Sequence, residues 1–399
     1  MQELLFYELK KISKRKMVGI CMLISIVLIM VTLCVPLIGD YYVDGQYISS
    51  NYEMFQTDIA YQKALNGRQI DDVLLQEMQE AYAKVPLDRE RYSLTEEYQM
   101  YARPYSAIYH TVRSLTGLTG DAVLMELDNA KEIHQMRMED LERDWETLLL
   151  SEKEKTFWKE QESKIEFPMT FQYAEGYYIL MSSAYTIGLL CVFIVSVCLA
   201  NVFPEEHVRK TDQLILSSKY GRKHIFISKY VAGIVVAGVI SLVLILFAFG
   251  ITFLLYGIEG FDTSLQLVYP LYSCNISIGQ AVLILYSMIL LAGIFEGAFV
   301  MMLSEVLHSS VGTLSVAIGI IILTMMISVP EEYRLLAQMW NFLPSNVVAV
   351  WGTFSRYLVE LFGNLYQTWQ VVPVVYFLLG VGAAYVTKVS FVKYQIGSR

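Results

Sequence analysis

The chain contains six apolar runs, each close to the length that a helix needs to cross a membrane. About 20 residues of α-helix span the roughly 30 Å of hydrocarbon in a bilayer. One such run is also typical of a buried core helix, but six in a chain that is 55% apolar and only 17% charged are not. The runs lie at 17–38, 177–202, 231–257, 279–303, 311–329 and 370–388. We therefore predict an all-α integral membrane protein with six transmembrane helices.

The distribution of Lys and Arg indicates which side of the membrane each segment faces, because short cytoplasmic loops carry an excess of these residues. If the N-terminus is inside, the cytoplasmic segments hold 14 Lys and Arg, whereas the short outer loops 258–278 and 330–369 hold two. The first apolar run follows KKISKRK and precedes no small-residue cleavage site, so we expect a retained anchor rather than a removed signal peptide. Both termini, residues 1–16 and 389–399, are therefore predicted to be cytoplasmic.

Residues 39–176 form a long polar segment, which this orientation places outside the cell. They hold 27 Asp and Glu against 14 Lys and Arg and none of the five cysteines, so packing rather than disulfides must hold them together. Two Ser-x-x-Glu sequences, beginning at Ser93 and Ser151, fit a helical capping box, and residues 124–148 carry apolar side chains at helical spacing. We predict a large helical extracellular domain between the first and second spans.

Motifs for catalysis are absent from the sequence. It contains no GxxxxGK[ST] phosphate loop, no HExxH zinc motif, no GxSxG nucleophile and no GxGxxG. The five histidines lack metal-ligand spacing to cysteines or acids, and basic residues do not alternate with aromatic ones as in nucleic-acid-binding faces. We therefore expect no catalytic residue, no metal site and no nucleic-acid partner for this chain.

The cytoplasmic loop 203–230 has the pattern of a short stiff element. Pro204 suits the first position of a helix, and Glu205 and Glu206 in the first turn complement the positive helix end. Gly221 allows the chain to turn before the third span begins. A basic loop is also what the orientation rule alone would produce. The helix signals favour an element that can transmit a push from a cytoplasmic partner.

The order of residues in this loop is an acid, a Thr, an apolar run that ends in small residues, a basic turn and a Lys that enters the next span. These residues are Glu205, Glu206, Thr211, Leu214 to Ser217, Gly221, Arg222, Ile225 and Lys229. The order resembles the loop between the second and third spans of ABC transporter permeases of the type-2, exporter-class family. Residues 1–16 are similar to the amphipathic connecting helix before that family's first span. Residues 330–369 resemble its short re-entrant helices at the outer surface.

The resemblance implies a separate ATP-hydrolysing subunit, which binds ATP and magnesium and receives the loop helix in a groove. The residues that it assigns to this coupling are Glu205, Glu206, Arg209, Thr211, Leu214, Gly221 and Arg222. It also implies a second permease copy, as a homodimer or with a sibling permease, in the lipid of the plasma membrane of a bacterium. The expected substrate is a peptide, an antibiotic or a lipid-like molecule that is exported.

Glu296 is an ionisable residue inside the fourth predicted span. It lies within the GxxxG sequence from Gly293 to Gly297, which lets helices approach closely. Ionisable groups at such depth are costly and often mark a substrate pathway. One interpretation is therefore a pathway or gating carboxylate. The other, which we favour, is a protonated or hydrogen-bonded contact between helices.

Two other functions fit the same architecture. In one, the extracellular domain is the receptor of a peptide-sensing or resistance complex. Its acidity would favour cationic ligands, although a charge excess is also typical of a solvated surface. In the other, the chain is a mechanical transmitter that uses ATP-driven motion to regulate an outer partner.

Overall fold

A computed structural model describes six stretches of the chain: residues 2–87, 91–118, 122–125, 127–208, 223–330 and 332–393. The described part is mostly helical and divides into two compact units. The first unit comprises residues 1–31, 181–251 and 284–399, and the second comprises residues 32–180 and 252–283. Each unit is therefore assembled from segments that lie far apart in the sequence.

Long apolar helices dominate the first unit. Among the described residues, five helices are long and apolar enough to cross a membrane: Lys16–Cys34, Glu175–Leu199, Lys223–Tyr256, Ile278–Leu307 and Thr368–Lys393. Helices suit a bilayer because each backbone N–H and C=O is paired within the segment where no water is available. A further apolar helix, Ser310–Met326, has 17 residues and is shorter than these five. This helix overlaps the fifth predicted span. Six spans require it to cross the membrane as well, so the number six stays a prediction.

The long helices keep large apolar side chains on their outer faces. On Thr368–Lys393, Phe377 is 70% exposed and Leu378 is 63% exposed, and on Lys16–Cys34, Leu23 is 64% exposed. Large apolar side chains exposed in such numbers along long helices are unfavourable in water and favourable against lipid. The chain is therefore a membrane-embedded, multi-pass protein.

Short elements fill the segment for which the sequence predicts re-entrant helices. The helices are Arg334–Asn341, Pro344–Val347 and Val350–Thr353, and a hairpin of the strands Val359–Leu361 and Asn364–Tyr366 follows them. Pro344 occupies the start of its helix, where a missing amide costs nothing. The hairpin was not predicted, and its turn residues Phe362 and Gly363 both have positive φ. This segment is thus helical in its first part and extended in its second.

The second unit has a helical core of its own. Its helices are Asn51–Ala64, Asp72–Tyr82, Ser106–Thr116, Ala122–Met125, Ala130–Thr147 and Glu152–Glu162, together with short 3₁₀ and π turns. Buried apolar side chains from these helices meet in one cluster, which includes Leu74, Met78, Ile108, Val112 and Ile133. The rings of Tyr82 and Tyr109 stack at 4.7 Å within it. No disulfide joins the five cysteines, all of which lie in the described part of the chain.

A β-hairpin lies near the start of the second unit, in a segment for which the sequence predicted only helix. The strands Asp40–Val43 and Gln46–Ser50 pair in antiparallel fashion around Asp44 and Gly45, which both have positive φ. Positive φ at both central residues is the geometry of the tight hairpin turns that Asp-Gly favours. The second strand runs directly into the helix Asn51–Ala64. The fold is therefore helical with two small hairpins rather than purely α.

A buried ion pair joins two helices of the second unit. The guanidinium of Arg137 donates to both carboxylate oxygens of Glu162, and its Nε donates to the carbonyl of Pro270 at 2.9 Å. Arg137 has no exposed surface and Glu162 is 6% exposed. Because a buried guanidinium needs several acceptors in fixed positions, this residue holds the helices Ala130–Thr147 and Glu152–Glu162 in register.

Candidate functional site

Two of the seven residues that the sequence assigns to coupling are described by the structure, and both lie in one charged cluster of the first unit. Glu205 and Glu206 stand in the short helix Pro204–Val208. The other five, Arg209, Thr211, Leu214, Gly221 and Arg222, lie outside the described residues. Glu205 is 9% exposed and Glu206 is 7% exposed. Carboxylates so far removed from water need partners inside the protein.

Glu205 pairs with the N-terminal helix. Its Oε2 lies 2.5 Å from Nη2 of Arg15, which follows the helix Gln2–Ser13, and 3.7 Å from Nζ of Lys11. Arg15 also donates to the backbone carbonyls of Cys198 at 3.5 Å and Asn201 at 3.3 Å. Cys198 lies in the last turn of the helix Glu175–Leu199 and Asn201 follows it, where backbone carbonyls lack the donors of a continuing helix. Arg15 therefore ties the N-terminal segment to that helix end and to Glu205.

Glu206 pairs with a lysine that is completely buried. Nζ of Lys229 lies 2.5 Å from Oε1 of Glu206, and Nζ of Lys11 lies 3.3 Å from the same oxygen. Lys229 also donates to the carbonyl of Val202 at 3.4 Å and stands 5.6 Å from the ring centre of Phe203. Its ammonium is therefore held by a charge, a carbonyl dipole and an aromatic face, which together replace the water that it has lost.

Two further carboxylates complete the cluster. Glu8 of the helix Gln2–Ser13 is 8% exposed, and burial raises its pKa although the ammonium groups of Lys229 and Lys11 act in the opposite direction. Glu305, near the end of the helix Ile278–Leu307, has no exposed surface and lies close enough to Lys229 for electrostatic interaction. We refer to the seven residues together as the anchor cluster: Glu8, Lys11, Arg15, Glu205, Glu206, Lys229 and Glu305.

Sequence reasoning found some members of the anchor cluster and missed the connections among them. It selected Glu205 and Glu206 as coupling residues and Lys229 as the Lys that enters the next span. Glu8 and the pairing role of Lys11 and Arg15 were missed. A signal was present for two of them, because Glu8 and Lys11 are three residues apart in the helix Gln2–Ser13 and so share one of its faces.

The cluster fixes both ends of the undescribed loop. Residues 204–208 precede the loop and are held through Glu205 and Glu206, whereas Lys229 lies in the helix Lys223–Tyr256 that follows it. Both carboxylates are engaged by cations of this same chain. Whether the seven predicted residues contact an ATPase therefore stays a prediction. The geometry shows that two of them hold the start of the loop, and that one of these, Glu206, pairs with Lys229 beyond its end.

Glu296 is a contact between two helices of the first unit. Its side chain is 4% exposed, and its Oε1 lies 2.6 Å from the hydroxyl of Ser196 in the helix Glu175–Leu199. The two glycines that flank it have no room for a side chain. A Cβ at Gly293 would collide with the hydroxyl of Ser241, and a Cβ at Gly297 would lie 2.7 Å from that of Ala237. The GxxxG sequence thus allows close helix approach, and a pathway role for Glu296 stays a prediction.

Groups that could hold a metal ion are not found among the described residues. No three His, Cys, Asp or Glu side chains cluster there in a suitable arrangement. The acids of the anchor cluster are instead interleaved with Lys and Arg, which compete with any cation for the carboxylates.

Comparison with known proteins assigns most of the chain to one family. Residues 4–345 match the family model described as ABC-2 family transporter protein. No curated protein and no solved structure matches the chain. The matched range includes the whole anchor cluster, the loop that it braces and the second unit.

Proposed function

We propose, on the premise that this chain belongs to the ABC-2 family of transporter proteins, that it is the permease subunit of an ATP-driven exporter. The chain is a membrane transport component and not itself catalytic. Permeases of this family typically work with an ABC ATPase, and the sequence has no phosphate loop of its own. The ATP and magnesium would thus bind to a separate partner subunit. The substrate class that we propose is a peptide, an antibiotic or a lipid-like molecule.

The observation that carries this proposal is the anchor cluster. A loop that transmits force must be attached stiffly at both ends, since a flexible attachment would absorb the displacement. Glu205 and Glu206 precede residues 209–222; Glu205 is fixed to Arg15, and Glu206 is fixed to Lys229, which follows them. A displacement of the loop would therefore be passed to the helix Lys223–Tyr256 and to the end of the helix Glu175–Leu199.

The coupling role divides between two groups of residues. Arg209, Thr211, Leu214, Gly221 and Arg222 are proposed to contact the ATPase, whereas Glu205 and Glu206 are proposed to hold the loop in place. The buried carboxylates support this division, because groups already paired inside the chain are poor candidates for a partner's surface. Glu296 is proposed to stabilise helix packing, and its role in a pathway is the alternative.

We propose that two permease copies, either identical or siblings, form the transport pathway in the plasma membrane of a bacterium. The excess of Lys and Arg in the predicted inner segments supports cytoplasmic termini and an extracellular second unit. The exposed apolar faces of the long helices support contact with lipid and with a second copy. Movement of substrate outward follows from the exporter-class resemblance of the loop.

A second candidate function is a peptide-sensing or resistance complex in which the second unit is the receptor. It is favoured by the size of that unit and by its independent hydrophobic core. A segment that only linked two spans would need neither this size nor a hydrophobic core of its own. The two candidates share the ATPase partner and differ in whether ligand binds outside the membrane.

The proposal is tested by purifying the C-terminally tagged protein from gently solubilised membranes and identifying what accompanies it. We expect an ABC ATPase subunit at one copy for each copy of this chain. Arg222→Ala should reduce that ratio, and the matched control Lys14→Ala, which removes an exposed basic residue, should not. Recovery of the protein without any ATPase, under conditions in which it stays folded, would remove the energy source and refute the proposal.

A further inference from the structure

The second unit contains a cleft of about 290 Å³ that reaches into its hydrophobic core. Four of the residues that line it belong to the buried core cluster: Ile70, Leu115, Ile133 and Met169. The ring of Phe167 covers a further part of the wall. The cleft is open to solvent, since exposed residues such as Asp72 and Lys131 also line it. A ligand with an apolar body would remove its apolar wall from water.

A buried polar atom without a partner lies at the same cleft. His134 lines it, and the Nδ1 atom of its imidazole is buried and makes no hydrogen bond within the described part of the chain. The ring packs against Phe167 with centres 4.1 Å apart. Burial, and secondly the charge of Arg137, lower the pKa of His134, so the ring is neutral at pH 7. A neutral imidazole nitrogen in this position can accept or donate one hydrogen bond that the protein leaves unmade.

Carboxylates stand at the rim of the cleft. Asp71 accepts a hydrogen bond from the amide of Leu74 at 3.0 Å, and Asp72 accepts one from the amide of Ala130 at 2.7 Å. Each bond uses one carboxylate oxygen and holds the side chain in place. The second carboxylate oxygen of each aspartate remains for a ligand. The rim also includes Lys131, whose side chain is exposed and can keep its ammonium in water. The acidic excess of residues 39–176 adds a field that attracts cations.

We infer that this cleft binds a small organic cation with an aromatic or branched apolar body. The body fills the void beside Leu115 and Ile133, a polar atom of the ligand pairs with Nδ1 of His134, and the ammonium lies near Asp71 and Asp72. Three separate features of one site, an apolar cleft, a nitrogen without a hydrogen-bond partner among the described residues and fixed carboxylates, are each satisfied by this class of molecule. The inference does not rest on the proposed transport function, because the cleft shares no residue with the anchor cluster.

The test uses tryptamine as the probe, with the full-length protein in lipid nanodiscs and empty nanodiscs as the blank. Tryptamine carries an indole ring and a primary ammonium, and indole-3-acetate carries the same ring with the opposite charge. We expect saturable binding of tryptamine by calorimetry or saturation-transfer NMR, and binding of indole-3-acetate that is at least about fivefold weaker. Absence of saturable tryptamine binding, or equal binding of the two probes, would overturn the inference.

Variants locate the binding to the cleft. Ala130→Phe places a ring in the void and should abolish tryptamine binding, and His134→Phe keeps an aromatic ring but removes the nitrogen and should weaken it. Asp71→Asn with Asp72→Asn keeps a side-chain oxygen that can accept from each of the two backbone amides while removing the charge, so it should weaken binding about fivefold. Glu96→Gln with Glu97→Gln removes two exposed charges elsewhere in the same unit and is the matched control. Tryptamine affinity that is equal in the Asn pair and the Gln pair, or unchanged by His134→Phe, would also overturn the inference.

Discussion

Lys229 lies 2.5 Å from Glu206, and the lysine side chain has no exposed surface. The two residues come from opposite sides of the loop that the sequence identified as the coupling element. A buried ion pair contributes little net stability compared with apolar packing, but the loss of one partner leaves a charge that water cannot reach. This asymmetry makes the pair a sensitive test of how the loop is anchored.

Glu206→Gln should destabilise the protein because it leaves the ammonium of Lys229 with weaker acceptors. The loss of one partner of a buried pair typically costs about 3–5 kcal/mol, and we expect about 2–3 kcal/mol here because Glu8 and Glu305 still lie near Lys229. The measurement is the thermal unfolding midpoint of the detergent-solubilised protein.

Two companion variants separate the pair from a general charge effect. Glu3→Gln removes an exposed acid from the helix Gln2–Ser13 and should leave the midpoint unchanged. Glu206→Met combined with Lys229→Met should recover most of the loss, since it removes both buried charges together. If Glu206→Gln unfolds at the same temperature as Glu3→Gln, the cluster does not anchor the loop.

Gly293→Ala should weaken the packing between the helices Ile278–Leu307 and Lys223–Tyr256. Its new Cβ would collide with the hydroxyl of Ser241, which itself is buried without a hydrogen bond within the described part of the chain. We expect a lower unfolding midpoint, because overpacking of a tight contact costs about 1–3 kcal/mol. Adding Ser241→Ala removes the colliding oxygen and should restore stability.

Gly250→Ala is the matched control for this packing prediction. Gly250 also lies in the helix Lys223–Tyr256, but a Cβ there meets nothing within 4 Å. Alanine is a better helix former than glycine by about 1 kcal/mol, so this variant should be neutral or slightly stabilising. A loss of stability at Gly250 as large as that at Gly293 would contradict the contact.

The burial of His134 predicts a dependence of stability on pH. Because its pKa is lowered in the folded state, the unfolded chain binds a proton first as the pH falls below the ordinary value of about 6.5. Stability should therefore decrease from pH 7 toward pH 5.5, and this decrease should be smaller in His134→Phe. Unfolding midpoints of the two proteins at both pH values provide the test, and equal decreases would show that His134 is not the responsible group.

Long helices were the most predictable part of the fold. Apolar runs of membrane-spanning length leave the backbone few alternatives, and helices are present at each of the six positions. The hairpins were missed because their strands have only three to five residues, too few for a period-two pattern to stand out. The dipeptide Asp44-Gly45 was the available signal, since it favours a turn with two positive φ values.

The candidate site was predictable only in part, because residues that pair in it lie far apart in the sequence. Glu205 and Glu206 stood out because they occupy the first turn of a helix in a basic loop. Their partners could not be inferred, because Arg15 lies 190 residues from Glu205 and no periodicity links the two segments. Tertiary packing alone brings the N-terminal helix to this loop.

Helix capping shows how a distant contact can override a local sequence signal. The predicted capping box at Ser151 is confirmed, because the Ser151 side chain pairs with the backbone amide of Glu154 and the amide of Ser151 donates to the Glu154 carboxylate at 2.9 Å. The predicted box at Ser93 is wrong. The amide of Glu96, which Ser93 would have capped, donates to the carboxylate of Asp44 in the first hairpin. The same hairpin leads into a capping box that was not predicted, at Ser50 and Glu53.

Matched alanine substitutions test the difference between Ser50, which caps a helix, and Ser93, which does not. Ser50 accepts a hydrogen bond from the amide of Glu53 at 3.2 Å, so Ser50→Ala should destabilise the second unit by about 1 kcal/mol. Ser93 lies inside the 3₁₀ turn Tyr92–Leu94 and caps no helix, so Ser93→Ala should have little effect although both serines belong to Ser-x-x-Glu sequences. Limited proteolysis of the full-length protein measures the stability of this unit. Equal sensitivity of the two variants would mean that the local sequence, rather than the contact from Asp44, determines where the helix is capped.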